Sequence, residues 1–337
     1  MGTTLKDIAK KAEVSYATVS RALNNHPDVN KNTKEKIIKL ANDMNYQPNT
    51  IARSLKSKKT NTIGLVIPDI TNPFYPQVAR GVEEAAAVSN YNVFLCNTNW
   101  NPEREKHYVK ALIQKQVDGL IMTPSSENIN YLKELLDFNI EVVFLSSYIP
   151  INNYTSIVTD NTRGMEKAVD YLIKKGHKKI AYAGSHIERY ANKERLNGYK
   201  KSLMKHNINI DNKYIKSVKN FYDQRGGYKL MYEFLQEFKK TELPSAIVCY
   251  NDLLALGIIQ ALKENNIRIP EDIAIIGFDD ISFSSLSEVQ LTTVSQSKYE
   301  MGKVALKTLL NKLENGSRST KENKIVLSPK LKIRKTT

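Results

Sequence analysis

A small all-helical module followed by a two-lobed α/β domain is the fold class this sequence predicts, and three observations predict it. Residues 1–60 carry short helical apolar stripes with no strand signal, whereas from residue 62 onward short β-rich runs alternate with helical stretches. That rhythm pauses near residue 160 and starts again, so the larger part reads as two α/β units with mostly parallel sheets. The 337 residues suffice for two large units and a small one, at roughly 150 residues per domain. A composition 41% hydrophobic and 25% charged excludes disordered and collagen-like classes.

The charge has a location. Lys and Arg number 50 against 35 Asp and Glu, a net +15. Residues 1–60 hold twelve basic and five acidic side chains, so +7 of the surplus sits in under a fifth of the chain. A basic helical module favours nucleic acid over a purely protein-binding bundle. The cluster KKGHKK at 174–179 reads as a solvated face.

Within the module, Thr4 is placed to cap a helix over 5–12, with Asp7 as the shorter partner of a capping box. Leu5, Ile8, Ala9 and Ala12 form its buried stripe. After the break Glu13-Val14-Ser15, Ser15 caps a second helix over 16–24 with Val19, Ala22 and Leu23 inward. Asn30 caps a third over 31–45, with Ile37, Leu40, Ala41 and Met44 inward. Two short helices joined by a tight turn, with a third behind them, make a helix-turn-helix unit. Tyr16, Ala17, Ser20 and Arg21 are left around the N-terminal and outer surface of the second helix. A helix N-terminus there can meet phosphate, Ala17 a thymine methyl, and Arg21 guanine or phosphate. Ser15 serves as cap and phosphate partner together, while Thr18 is either a local backbone partner or a contact.

The segment NYQPNTIARSLKSKKT follows. Asn49 can cap a helix from Thr50 to about Lys56 with Ile51, Ala52 and Leu55 apolar and Arg53, Lys56, Lys58 and Lys59 around them. Seven residues are too few for an isolated helix in water, so it needs a second copy, DNA or both. An apolar wedge among cations suits a minor groove, and a plain basic linker is the alternative.

In the large part, strands are expected at 62–67, 91–96, 118–122, 141–145, 179–184, 214–218, 246–250 and 273–277. Helices are expected near 76–89, 103–115, 127–138, 163–175, 193–206, 223–239 and 252–264. Polar tips follow several strands: Pro68-Asp69, Asn97-Thr98-Asn99, Asn251-Asp252 and Asp279-Asp280. Open α/β sheets bind small ligands beyond these carboxyl ends, so two facing lobes predict a polar cleft. Enzyme signatures are missing: no G-x-G-x-x-G after the first strand, no P-loop, no H-E-x-x-H and no G-x-S-x-G. Five scattered histidines and two distant cysteines, Cys96 and Cys249, give no zinc spacing, and the cysteines read as buried thiols without a disulfide. Asp279-Asp280 is either a catalytic pair or a cap and ligand acceptor. The expectation is a binding protein without metal or cofactor.

The stretches TLKDIAKKAEVSYATVSRALNN, NYQPNTIARSLKSKKTNTIGLVIPDITNPFY, IVTDN, ERLNGY, YNDLLALG, IPEDIAIIGFDD, QLTTVSQS and LSPKLKIR resemble the LacI/GalR family of bacterial transcription regulators from about residue 4 to 334. Within it, the likeness is to the group that includes the catabolite control protein. The resemblance implies a helix-turn-helix domain over 1–47, a hinge helix and linker over 48–60, and a two-lobed, periplasmic-binding-protein-like effector domain over 61–337. Its N-lobe would span about 61–160 and 294–324, and its C-lobe about 161–291 and 325–334. Leu5 and Ser15–Arg21 would dock the reading head, with Tyr16, Ala17 and Arg21 in the major groove. Ser15, Thr18, Ser20, Asn24 and His26 would lie at or near the backbone. Asn49, Ala52 and Arg53 would belong to the hinge helix, with Leu55 as the minor-groove wedge. Phe74, Asp160, Arg195, Phe221, Asn251 or Asp252, and Asp279 would surround an effector: a sugar, sugar phosphate or sugar acid.

The implied protein is a cytoplasmic, nucleoid-associated repressor of carbohydrate-metabolism genes that binds a palindromic operator as a homodimer. The resemblance also brings a phosphocarrier protein into view as a second partner. One departure stands out: Glu13 occupies a turn position where many members carry glycine.

Overall fold

The computed structural model describes residues 3–46, 59–136, 140–185, 189–218, 223–315 and 324–337. The chain divides into two compact units, 1–60 and 61–337.

In the first unit α1 (Leu5–Ala12), α2 (Tyr16–Leu23) and α3 (Lys31–Asp43) begin at the residues whose side chains can accept a helix N–H. Thr4 and Asp7 form a reciprocal capping box, Ser15 accepts from the Thr18 N–H at 3.1 Å, and Asn30 from the Asn32 N–H at 2.9 Å. Ile8, Ala9, Ala12, Val19, Ala22, Ile37 and Ala41 meet in one small core. Glu13 ends α1 in the left-handed region, φ 60° and ψ 40°. A side chain there is strained by about 1–2 kcal/mol, part of which glycine returns through its looser unfolded chain. Glu13→Gly is therefore expected to stabilise this unit by about 0.5–1 kcal/mol, read as slower hydrogen exchange across α1–α3 in the full chain. Unchanged protection would show that the turn carries no strain.

The second unit holds two six-stranded sheets. The first has the order β11-β5-β4-β3-β1-β2, all parallel, from β1 (Thr62–Ile67), β2 (Asn92–Asn97), β3 (Gly119–Met122), β4 (Glu141–Leu145), β5 (Thr155–Thr159) and β11 (Lys324–Leu327). The period of two sorts its side chains. Ile63, Leu65 and Ile67 pack under α4 (Phe74–Val88) and α11 (Lys298–Asn315). Val66, Leu120, Met122, Val142 and Phe144 face α5 (Pro102–Gln114) and α6 (Ile129–Leu135).

The second sheet has the order β12-β10-β9-β8-β6-β7, from β6 (Ile180–Gly184), β7 (Ile215–Ser217), β8 (Ala246–Cys249), β9 (Ala274–Asp279), β10 (Thr292–Ser295) and β12 (Lys330–Lys332). Its β12 runs antiparallel to β10. One face packs on α7 (Asn161–Lys174) and α8 (Tyr190–Lys205), the other on α9 (Gln224–Glu237) and α10 (Asp252–Glu264). Helices covering both faces explain why these strands read as near-continuous apolar runs.

Three crossings join the sheets, and two differ from expectation. Strand β10 pairs with β9, and β11 pairs with β5. The chain therefore passes to the first lobe after residue 295 and returns after 327, not at 292–293 and 324–325. β5, β10, β11 and β12 and helix α11 were not anticipated. Strands of three to five residues such as TTVS and KIVL carry little periodicity, and only their partners define them. Cys249 is buried, Cys96 half-buried, and both are free thiols.

Candidate functional site

On α2 the inward positions Val19 and Ala22 turn Tyr16, Ala17 and Arg21 to solvent, with Tyr16 53% exposed. Ser20 and Thr18 are half-buried. Ser15 Oγ lies 2.8 Å from Thr18 Oγ1, so both are local partners as well as surface groups. Asn24 Nδ2 donates to the Ser20 carbonyl at 2.8 Å, and His26 Nδ1 lies 3.2 Å from Asp28. Leu5 packs against the small core. Asn49, Ala52, Arg53 and Leu55 of the expected hinge lie outside the described residues, as does Phe221.

In the second unit a cavity of about 330 Å³ opens between the carboxyl ends of the two sheets, where parallel strands leave their ligand crevice. Phe74, Arg195, Asn251 and Asp279 line it. Asp279 ends β9 with φ 126°, and Asp280 follows at φ 56°. Two successive non-glycine residues in that region are strained, and their surroundings impose it. Lys298 Nζ donates to both carbonyls, at 2.7 Å for Asp280, while Arg334 holds the Asp280 carboxylate at 2.6 Å.

Asp279 is 5% exposed, and burial pushes its carboxyl up to about 7 despite Arg195 nearby. Gln296 Nε2 donates to it at 2.6 Å, and the Gln296 carbonyl oxygen accepts from Thr159 Oγ1 at 2.5 Å. One amide in a crossing segment thus ties the end of β9 to the end of β5. Arg195 is held on three sides: Nε donates to Asn161 at 2.8 Å, Nη1 to the Tyr250 carbonyl, and Nη2 lies 3.8 Å from Asp279. Its guanidinium stacks 3.7 Å from the Phe278 ring centroid.

Two expected effector residues fall elsewhere. Asp252 lies wholly inside the C-lobe, where Thr293 Oγ1, Ser284 Oγ and the Ile281 N–H donate to it at 2.5, 2.7 and 2.9 Å. It anchors α10 to the loop after β9, and Asn251 is the member of the pair that reaches the cavity. Asp160 caps α7 through the Arg163 N–H at 3.0 Å, and its neighbours Thr159 and Asn161 line the cavity instead. Sequence reasoning also passed over Asn72, Trp100, Glu127, Arg189, Tyr250 and Gln296. Gln296 sits in QLTTVSQS and Asn72 opens NPFY, so position within motifs was the available signal. Trp100 follows a polar strand tip.

Among the described residues no group of His, Cys, Asp or Glu is arranged to hold a metal ion, and no helix is long and apolar enough to cross a membrane.

Residues 4–49 match the model for bacterial regulatory proteins of the lacI family, and residues 169–337 match a periplasmic binding protein-like domain. The chain is 36% identical over 330 residues to catabolite control protein A of Priestia megaterium, covering 98% of this chain and 97% of that one. Its fold superimposes on the lac repressor dimer bound to operator and the anti-inducer ONPF with a TM-score of 0.88. That match has 27% identity and covers 100% of this chain and 99% of the other. A LacI family regulator from Enterococcus faecium, solved with bound ribose, matches with a TM-score of 0.71 and 27% identity over 82% of this chain and 98% of that one. A helix-turn-helix head with an exposed α2 surface, a two-sheet domain with a polar cleft, and full-length likeness to transcription regulators converge: the chain is a member of the lacI family of bacterial regulatory proteins, a DNA-binding transcription regulator and not an enzyme.

Proposed function

We propose that this regulator represses carbohydrate-metabolism genes by binding a palindromic operator as a homodimer, and that a small hydroxylated molecule in the cavity resets its DNA affinity. The observation that carries the reading is the bridge Thr159–Gln296–Asp279, which links a cavity carboxyl to both lobes across a crossing segment. A ligand that engages Asp279 better in one lobe arrangement than in the other shifts the population between them, and only such a difference can do so. The cavity volume, near the lower end of ~300–1,000 Å³ for small-molecule sites, suits one or two sugar rings. The ribose complex of the Enterococcus faecium regulator supports a sugar.

On the DNA side, Tyr16, Ala17 and Arg21 read the major groove, and Ser15, Thr18, Ser20, Asn24 and His26 contact the backbone. The segment 48–60, with Asn49, Ala52, Arg53 and Leu55, provides the minor-groove element. The operator complex of the lac repressor dimer supports this arrangement. The reading includes no phosphocarrier protein.

A salt titration tests it. Operator affinity should fall about 10³-fold or more between 50 and 200 mM salt while staying at least ~10³-fold above random duplex. Sequence-blind or salt-insensitive binding would refute it.

An apolar strand edge supports the homodimer reading. Edge strand β2 leaves Phe94 47% and Leu95 44% exposed, an apolar edge of the sort that proteins otherwise blunt or cover. Phe94→Asp combined with Leu95→Lys is expected to yield a monomer in sedimentation with about 10-fold or greater loss of operator affinity. A dimer that survives both changes removes this edge from the interface.

A further inference from the structure

Asn99 and Trp100 are a second pair of consecutive left-handed residues, φ 54° and 57°. An indole-bearing residue adopts that backbone only where its surroundings impose it. Here the turn after β2 sets the indole on the cavity wall, edge-on to Tyr75 with ring centroids 6.4 Å apart. The face of the indole is covered from the other lobe: the Arg189 guanidinium lies 3.8 Å from the ring centroid. Its Nη2 reaches the Ser125 carbonyl at 3.4 Å, a long contact for a hydrogen bond. The joint between the lobes at this point is made separately, by Glu127, which accepts the Tyr190 N–H at 2.7 Å and the Ser147 hydroxyl at 2.7 Å.

We infer that Trp100 is a ring-stacking subsite for the cavity's ligand and that Arg189 is its exchangeable cover. The inference rests on the effector reading of the cavity given above. An indole face is negative and draws whatever presents positive hydrogen, either a guanidinium or the C–H face of a sugar ring. A neutral sugar can therefore take the place Arg189 holds. Arg189 swings aside from the ring while its backbone stays at the start of α8, and the Glu127 joint keeps the lobes together.

The neutral class follows from the charges present. Four acids, Asp69, Glu127, Asp223 and Asp279, line the cavity with three arginines; Arg225 pairs with Asp223 and Arg195 faces Asp279, which leaves Asp69 and Glu127 against Arg189 alone and opposes a carboxylate or phosphate.

Trp100 is the single tryptophan of the 337 residues, so the emission of the full-length protein reports this subsite alone. Glucose, ribose, cellobiose and gluconate are titrated in parallel by fluorescence and melting temperature. A neutral sugar should raise the melting temperature and shift the emission with one half-saturation point, and gluconate should do neither. Arg189→Ala removes the competitor and should tighten that sugar by about threefold or more, because a larger fraction of sites is open to it. Trp100→Leu, with its circular dichroism unchanged, should weaken the sugar by about tenfold.

A sugar that raises the melting temperature with no emission change overturns the subsite and leaves the cavity reading intact. Weaker binding after Arg189→Ala does the same, making Arg189 an anchor and not a cover. No melting shift with any of the four probes withdraws the effector reading, and the subsite with it.

Discussion

Asp279→Asn should abolish the ligand response while operator binding without ligand persists. The Asp279 carboxyl is the cavity group tied through Gln296 to Thr159, and an amide in its place loses the charge and one of the two acceptor oxygens that serve the ligand and this link. A hydrogen bond to a charged group contributes about 1.5–3 kcal/mol, so sugar affinity should fall by about 10- to 100-fold in a thermal-shift titration. Asparagine is the cleaner choice over alanine, which would leave Arg195 and the Gln296 amide facing an empty space beside a strained backbone. An undiminished response in the Asn variant would take Asp279 out of the ligand's contacts.

The same residue sets a pH dependence. Its carboxyl sits at about 7 in the folded protein, raised by burial from an ordinary value near 3.8. Between those values the folded chain holds a proton that the unfolded chain has released. The stabilisation from this group is therefore full below about pH 4 and is lost as pH rises through about 7, at about 1.4 kcal/mol per pH unit in the window. Urea unfolding at several pH values should show that slope in the wild type and its loss in Asp279→Asn. Equal slopes would place the titration elsewhere.

Gly257→Ala should produce the largest loss of stability. An added Cβ would lie 1.9 Å from the Gln224 carbonyl oxygen and 2.6 Å from the Tyr228 nitrogen, both backbone atoms of α9. From the other side, a Cβ on Gly227 would meet the Leu254 carbonyl at 2.0 Å. Neither helix can yield by turning a side chain, so they must separate and loosen a core that contains Phe234, Leu254 and Ile258. Overpacking of this kind costs about 3 kcal/mol or more, and at ~2–4 °C per kcal/mol the melting temperature should drop by about 6–12 °C. A shift within about 2 °C would mean that the helices part without cost.

Features decided over three or four residues were legible in the chain. Thr4, Ser15 and Asn30 cap because an oxygen at that spacing meets a free helix N–H wherever the helix lies. The buried stripe of α1 and the exposed side of α2 followed from the 3.6-residue period for the same reason. Glu13 shows the limit of local reading. Its left-handed backbone became visible only once α1 and α2 were packed, since glutamate has no preference for that conformation.

The cavity separates what sequence determines from what tertiary structure decides. Sequence alone established a basic helical head, two α/β lobes, and polar residues at strand ends where parallel sheets place their ligands. It could not distinguish Asn251 from Asp252, or Asp279 from Asp160, because each is a polar residue at the end of a strand. Which one faces the cleft depends on strands that meet from distant parts of the chain. Thr293 on β10 draws Asp252 inward, and the Asp160 carboxylate is taken by the first turn of α7. The crossings at 296 and 328 likewise follow from pairing partners more than a hundred residues apart for β5 and β11. Short-range hydrogen bonding and periodicity are written locally; long-range register, strained turns and the closing of two lobes on one carboxyl arise only when the whole chain packs.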